Sequence, residues 1–276
     1  MAQTSPRRRK TPYGTRTAFT LVELLVTCAC VVLLVGMLMP SLSGAMAASR
    51  SLNCQTNLRQ LGAAAMSYGA VYGGHSPAAI LYFKRPAGIE IAAWDFVHHP
   101  DGTVTAGALW QFTDAGAPVH QCPEFEGPST FGSDPYTGYN YNTSFIGAEG
   151  GFPQAGPNDT VLDGWAVARR GVPPGAQHRA SETALFGDGG WKGGANKFMR
   201  APMNTIEQAL DVVYAGGQAF RHRGACNLVH LDGHCSSASR SCPGALATED
   251  LLVNVMDHPR NGFLTNGDAA YDPRSP

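Results

Sequence analysis

The chain has 276 residues, a formal net charge of −1, 15% charged residues, 33 glycines and 19 prolines. Near-neutrality argues against a nucleic-acid partner, because a surface that holds phosphates concentrates Lys and Arg. The Gly and Pro content favours long loops and short strands, and the roughly 200 residues beyond the N-terminal region are enough for one globular domain with a real core.

Residues 1–18 are polar and basic, with Arg7, Arg8, Arg9, Lys10 and Arg16, and read as a leader. The run Leu21 to Met39 is almost wholly apolar and about 19 residues long, enough to cross a bilayer core as a helix. Glu23 interrupts it, and a carboxylate near the start of such a run is costly. Basic residues precede the run and none follows it soon. The positive-inside rule therefore places the N-terminus in the cytoplasm and the bulk of the chain outside, as a single-pass inner-membrane protein. Without residues 1–18 the chain would carry 15 Lys and Arg against 21 Asp and Glu, a formal charge of −6.

Phe19-Thr20-Leu21-Val22-Glu23-Leu24-Leu25 resembles the processing and methylation signature of type IV prepilins and type II secretion pseudopilins. The resemblance implies cleavage between Ala18 and Phe19 by a prepilin peptidase, N-methylation of Phe19 by the same type of enzyme, and assembly with like subunits into a filament. It implies that Glu23 meets a neighbouring subunit's terminal amine, a pairing that makes a buried charge tolerable. The residue before such a cut is usually Gly. Here it is Ala18, the nearest small residue, which points to slower or family-specific processing. Pro40 stands where many pilins also carry a proline. A rival reading takes Arg7 to Lys10, the apolar core and Ser43-Gly44-Ala45-Met46-Ala47 as a signal peptide, releasing a soluble enzyme or binding protein after Ala47. A third keeps the anchor and drops the filament, giving a monomeric tethered binding protein. The length of the apolar run and Glu23 inside it favour the prepilin reading.

In chain order, the pattern predicts one long helix over 19–72, with a transmembrane part at about 19–42 and breakers at Gly36, Pro40 and Gly44. Past Arg50 it turns amphipathic: Cys54, Leu58, Leu61, Ala65, Tyr68 and Tyr72 share one face. Gly73-Gly74 ends it. Residues 73–276 form the extracytoplasmic head. Short strands, or a strand and a helical turn, are expected at 78–83 and 89–97, a hairpin turn at Asp101-Gly102, and a structured surface excursion over 118–164. A strand at 182–186, a helix or strand at 205–214, a hairpin at 226–237 and a loose tail at 261–276 follow. The fold class is α+β, a long N-terminal helix packed on one antiparallel sheet, in the pilin manner.

His222, nine residues, then Asp232-Gly233 resembles the C-terminal motif of a large group of pilin-like proteins abundant in planctomycetes and related bacteria, named for its H-X9-DG spacing. Softer features agree with it: Cys54-Gln55-Thr56-Asn57-Leu58-Arg59-Gln60-Leu61-Gly62, Cys122-Pro123, and Glu182-Thr183 ahead of Gly187-Asp188-Gly189. Asp232-Gly233 suits a two-residue type I′ turn that would set His230 opposite Cys235. The plain reading is a structural hairpin whose polar residues fix the register. A metal reading draws on His230, Cys235, Cys226 and His234, but zinc-finger and zinc-ribbon spacings are lacking. Calcium at Asp188, Asp232 or Asp163 is the other candidate, without an EF-hand loop to support it. No cofactor is otherwise expected.

Cys54, Cys122, Cys226, Cys235 and Cys242 would meet an oxidising compartment on export. A Cys54–Cys122 bond would staple helix to head for about 2–4 kcal/mol, and two of Cys226, Cys235 and Cys242 could pair. The glycine-rich run 187–194 lacks P-loop spacing, and G-x-S-x-G and H-E-x-x-H are missing, so the chain reads as a non-enzyme.

Overall fold

The computed structural model describes residues 19–113, 117–150, 153–155, 161–163, 171–203 and 209–274; Ala18 and the leader lie outside the described residues. The chain divides into two compact units at Met46/Ala47, and helix α1 (Leu21–Val71) contributes to both.

In the first unit, Thr20 and Glu23 open α1 with a reciprocal capping box. The Glu23 N–H donates to Thr20 Oγ1 at 3.3 Å, while Glu23 Oε2 accepts from the Thr20 N–H at 2.9 Å and its hydroxyl at 2.8 Å. The large apolar side chains of 21–39 are all exposed, and the segment is long and apolar enough to cross a membrane. Gly36, Pro40 and Gly44, expected as breakers, leave the helix unbroken. Hydroxyl groups bond to carbonyls around the proline, Ser41 to Leu38 and Ser43 to Pro40, each at 2.9 Å, the kind of local accommodation that lets proline sit in apolar helices.

In the second unit, α1 buries Cys54, Leu58, Leu61 and Ala65 as the periodicity predicts. The stripe stops one turn early: Tyr68 is half-buried, and Tyr72, just past the helix end, is exposed with its ring 4.3 Å from that of Tyr68. Gly62 lies on the same face. A Cβ there would come within 2.7 Å of Val229 Cγ2, so the missing side chain is what lets helix and sheet approach.

Strands β1 (Ile80–Arg85), β2 (Gly88–Ala93), β3 (Phe96–His98) and β4 (Val104–Ala106) form an antiparallel meander. The single strand expected at 89–97 is interrupted where Trp94 and Asp95 turn into the core. Asp101-Gly102 makes the expected turn between β3 and β4, with Gly102 at φ +84°.

Strands β5 (Tyr139–Asn142), β6 (Pro153–Ala155), β7 (Val161–Asp163), β8 (Ala184–Asp188) and β9 (Phe198–Met199) follow. After them come helix α2 (Leu210–Ala215), β10 (Gln218–Ala219), β11 (Cys226–His230), β12 (Cys235–Ala238) and β13 (Asn261–Gly262). The central sheet has the order β12-β11-β8-β5-β9, antiparallel except for β5–β9. β6–β7 and β10–β13 are small separate pairs. The one antiparallel sheet expected from sequence is thus replaced, among the described residues, by four sheets, one of them mixed.

Two further expectations are corrected. β5 falls inside the supposed surface excursion of 118–164, yet it is wholly buried and paired on both sides. Its asparagine amides donate in the core: Asn140 Nδ2 to Gly217 O at 3.1 Å, and Asn142 Nδ2 to Ala184 O and Tyr271 O at 2.8 and 2.9 Å. The 261–276 segment is no loose tail through residue 274. Phe263 and Tyr271 are fully buried, and the Tyr271 hydroxyl donates to Gln218 Oε1 at 2.6 Å.

The core has two clusters. One gathers Leu58 and Leu61 with Trp94, Tyr141, Phe186 and Val229; the other joins Tyr214, Phe220, Met256, Phe263 and Tyr271. Beside the first, the buried Lys197 ammonium lies 2.9 Å from Asp95 Oδ1 and 2.6 Å from Asp134 Oδ2, a paired charge that leaves no carboxylate alone in the interior. Nearby, His120 stacks on Trp110 with centroids 4.3 Å apart, and neither of its ring nitrogens has a hydrogen-bond partner. Burial, reinforced by the Lys197 charge, pushes its pKa down to about 4.

Two predictions follow from this packing. Gly62→Leu overpacks the helix–sheet contact and lowers stability by about 1–3 kcal/mol, whereas Gly267→Ala, with open space at its Cβ position, stays within about 0.5 kcal/mol; thermal unfolding of both variants reads the difference. Because His120 is neutral when folded and titrates near pH 6.5 when unfolded, its contribution to stability is present above that pH and drains away as the pH falls toward 4. Urea unfolding at pH 7 and pH 5 should show a loss of about 2 kcal/mol from this group, a loss missing from His120→Phe.

Candidate functional site

Four separate stretches deliver one side chain each to a closed point in the second unit. Cys54 sits on the buried stripe of α1. Cys122 follows the short 3-10 turn Ala117–His120. Asp188 ends β8, where Gly187 and Gly189 leave room: a Cβ at either would strike Leu228 or the Asn196 carbonyl. His222 begins a tight turn ahead of β11. Its central residues, Arg223 at φ +56° and Gly224 at φ +84°, give it the type I′ form, and His222 and Ala225 exchange backbone hydrogen bonds across it.

The four side chains converge with no route to solvent: Cys54, Cys122 and Asp188 are fully buried and His222 is 3% exposed. Asp188 Oδ1 is the hub. Cys54 Sγ lies 3.3 Å from it, Cys122 Sγ 3.4 Å and His222 Nε2 3.3 Å. Cys122 Sγ is 3.6 Å from His222 Nε2. Asp188 Oδ2 accepts the Asn227 N–H at 2.8 Å. On its far side, His222 Nδ1 meets Glu124 Oε2 at 2.5 Å. Arg221 lies 3.9 Å from Asp188 Oδ1 and is anchored by donating to the Gly138 carbonyl at 2.9 Å and to that of Gly189.

Each ionisable group is tuned by the others. Burial alone would raise the Asp188 carboxyl, but His222, Arg221 and the Asn227 N–H outweigh it and hold it below the usual carboxylate range. Burial would lower His222, yet its contacts with Asp188 and Cys122 push it up to about 10. The Cys54 contact, helped by His222 and Arg221, outweighs burial and brings Cys122 down to about 7, while burial drives Cys54 up. Paired thiols of opposed acidity beside an imidazole and a carboxylate form a soft-to-borderline donor set. Among the described residues, these four are the only group of three or more His, Cys, Asp or Glu side chains close enough to share a metal ion.

The remaining sequence-derived candidates lie elsewhere. Phe19 is exposed at the start of the first unit, near the capped Glu23, and Pro40 lies within α1. Asp232 and Gly233 sit in the distal turn of the β11–β12 hairpin. The expected two-residue turn is corrected to a three-residue one, Leu231-Asp232-Gly233, with Gly233 at φ +86°. His230 then pairs with His234 and Cys235 with Val229, so His230 and Cys235 are not opposite one another. His230 instead stacks on His234 at 4.2 Å and meets Ser236 Oγ at 2.7 Å, and Asp232 contacts His234 at 2.7 Å. All seven cysteines carry free thiols. Cys226 pairs with Ala238, three register steps from Cys235, about 10 Å along the strand, which is too far for a disulfide between these two. Cys242 Sγ points to Leu264 O at 3.7 Å.

Sequence reasoning named Cys54, Cys122, Asp188 and His222 one by one but never as a set, and it overlooked Glu124, Asn227 and Arg221. The available signal was that each of the four belongs to a different one of the motif fragments quoted for the pilin-like group. No family model, no curated protein and no solved structure matches the chain. What sequence and fold together define is an α+β protein with a membrane-length apolar N-terminal helix and a folded head.

Removing the hub carboxylate should be costly. Asp188→Ala removes the buried carboxylate that faces His222 and Arg221, leaving His222 with Glu124 and Arg221 with the Gly138 and Gly189 carbonyls, and is expected to destabilise by about 3–5 kcal/mol. Asp188→Asn keeps the shape and the Asn227 contact and should cost less; urea unfolding of the two variants side by side checks the order.

Proposed function

We propose that the chain is a pilin-like structural subunit, matured by a prepilin peptidase at Ala18/Phe19 and assembled through its N-terminal helix into a type IV pilus-like or type II secretion pseudopilus-like filament. The observation that carries this reading is Glu23 placed one turn into a helix whose apolar side chains from Leu21 to Met39 are all uncovered. Such a surface requires a lipid or protein environment. In the bilayer it serves as an anchor, and in a filament the same surface packs against its copies. A carboxylate at that depth is tolerable in a pairing with a neighbour's N-terminal amine. The positive leader and the apolar run set the head outside the cytoplasm.

One observation favours a second reading. Glu23 is already satisfied by the Thr20 N–H and hydroxyl within its own chain. A monomeric tethered protein would need the carboxylate for nothing more than this capping box.

Mass spectrometry of intact protein and N-terminal peptides from the native membrane tests the maturation step. The expected mature chain begins at Phe19 with one added methyl; a chain beginning at Ala48 would sink the filament reading. Glu23→Ala then separates subunit from tether. Insertion and processing should persist while co-assembly with wild-type subunits, read by crosslinking, is lost. Unchanged crosslinking would leave the tethered monomer.

A further inference from the structure

We infer that Cys54, Cys122, Asp188 and His222 form a closed tetrahedral site for a thiophilic divalent metal ion, zinc first, which fastens helix α1 to the central sheet. The site is independent of the filament reading, since none of its residues lies in the first unit.

Geometry is the first argument. Zinc bonds of about 2.3 Å to sulfur and about 2.0–2.2 Å to nitrogen and oxygen make a tetrahedron with edges of about 3.3–3.8 Å. Four of the six donor separations are 3.3, 3.4, 3.6 and 3.3 Å, and every donor lies within 4.8 Å of the others. These four edges match those of a four-coordinate zinc site, and the remaining two need only a small closure to do so.

The surrounding shell is the second argument. A histidine that binds metal through one nitrogen commonly gives its other N–H to a carboxylate. His222 turns Nε2 to the cluster and sets Nδ1 2.5 Å from Glu124 Oε2, a close charge contact that lacks hydrogen-bond alignment and would need a small turn of the ring to donate. Asp188 is held by its outer oxygen: Oδ2 accepts the Asn227 N–H and lies 3.2 Å from His222 Nε2, while Oδ1 faces both sulfurs. Charge is the third argument. Two thiolates and a carboxylate exceed a divalent cation by one negative charge, and the Arg221 guanidinium beside Asp188 offsets it. Binding exchanges the two thiol protons and the Nε2 proton of the imidazolium for the ion, while Nδ1–H stays with Glu124.

All four ligands come from the protein and all are buried, which makes the site structural, with no open position for a substrate. It draws together α1, the segment after 117–120, the end of β8 and the turn before β11. Metal also gives two adjacent thiols a reason to remain reduced outside the cytoplasm.

The test uses full-length protein purified in detergent without chelators. Elemental analysis is expected to find one zinc per chain, and cobalt(II) added to the reduced, metal-stripped protein should give the visible bands of a tetrahedral thiolate site. Cys54→Ser and His222→Ala should abolish the cobalt spectrum. Because these variants can also fail to fold, Glu124→Gln supplies a milder check: the circular dichroism of the wild type with about 10–100-fold weaker zinc affinity. Two results would overturn the inference. One is reduced, folded protein that takes up neither zinc nor cobalt. The other is a Cys54–Cys122 disulfide in non-reducing peptide maps of the native protein.

Discussion

A fully buried carboxylate at Asp188 is the constraint around which the second unit is arranged. An isolated charge there would cost several kcal/mol, so its neighbours are arranged to answer it. A histidine, an arginine, a backbone N–H and two thiols reach it from three other parts of the chain. Each contact also fixes an element: the helix through Cys54, the loop before β5 through Cys122, and the entry to β11 through His222 and Asn227. Lys197 between Asp95 and Asp134 repeats the principle with the sign reversed.

The H-X9-DG spacing gains a physical meaning from this arrangement. His222 belongs to the turn at the base of β11, and Asp232-Gly233 to the turn at its tip. The nine intervening residues are the remainder of one tight turn, one five-residue strand and the first turn residue. The motif is thus a measure of strand length, and its two ends do different work. The histidine joins the buried cluster, while Gly233 supplies the positive φ of the distal loop. The conserved-looking distance needs no contact between the two ends.

What was legible in the sequence was local. The long helix, its buried stripe as far as Ala65 and the Asp101-Gly102 turn follow from periodicity and turn chemistry, whereas the strand expected at 182–186 runs two residues later, from Ala184 to Asp188. β5 was hidden because Tyr-Asn-Tyr-Asn has no apolar alternation; its asparagines are buried only because distant carbonyls receive them. The hairpin register was missed because Asp-Gly fits a two-residue turn as well as a three-residue one, and a one-residue slip moves every partner. The 261–274 segment looked loose because its burial rests on isolated aromatics. The cluster at Asp188 had no local spacing to reveal it, since its other members lie 34 to 134 positions from Asp188.

That separation has a kinetic consequence. Contacts spanning so much of the chain belong to the slow end of folding, because loop closure must precede their reward. Cys54 emerges early, on a helix stripe whose partners Val229 and His222 arrive only with the last quarter of the sequence. Until then its sulfur and the apolar face around it stay uncovered. In a vectorially delivered chain this is the interval most open to wrong pairing and aggregation.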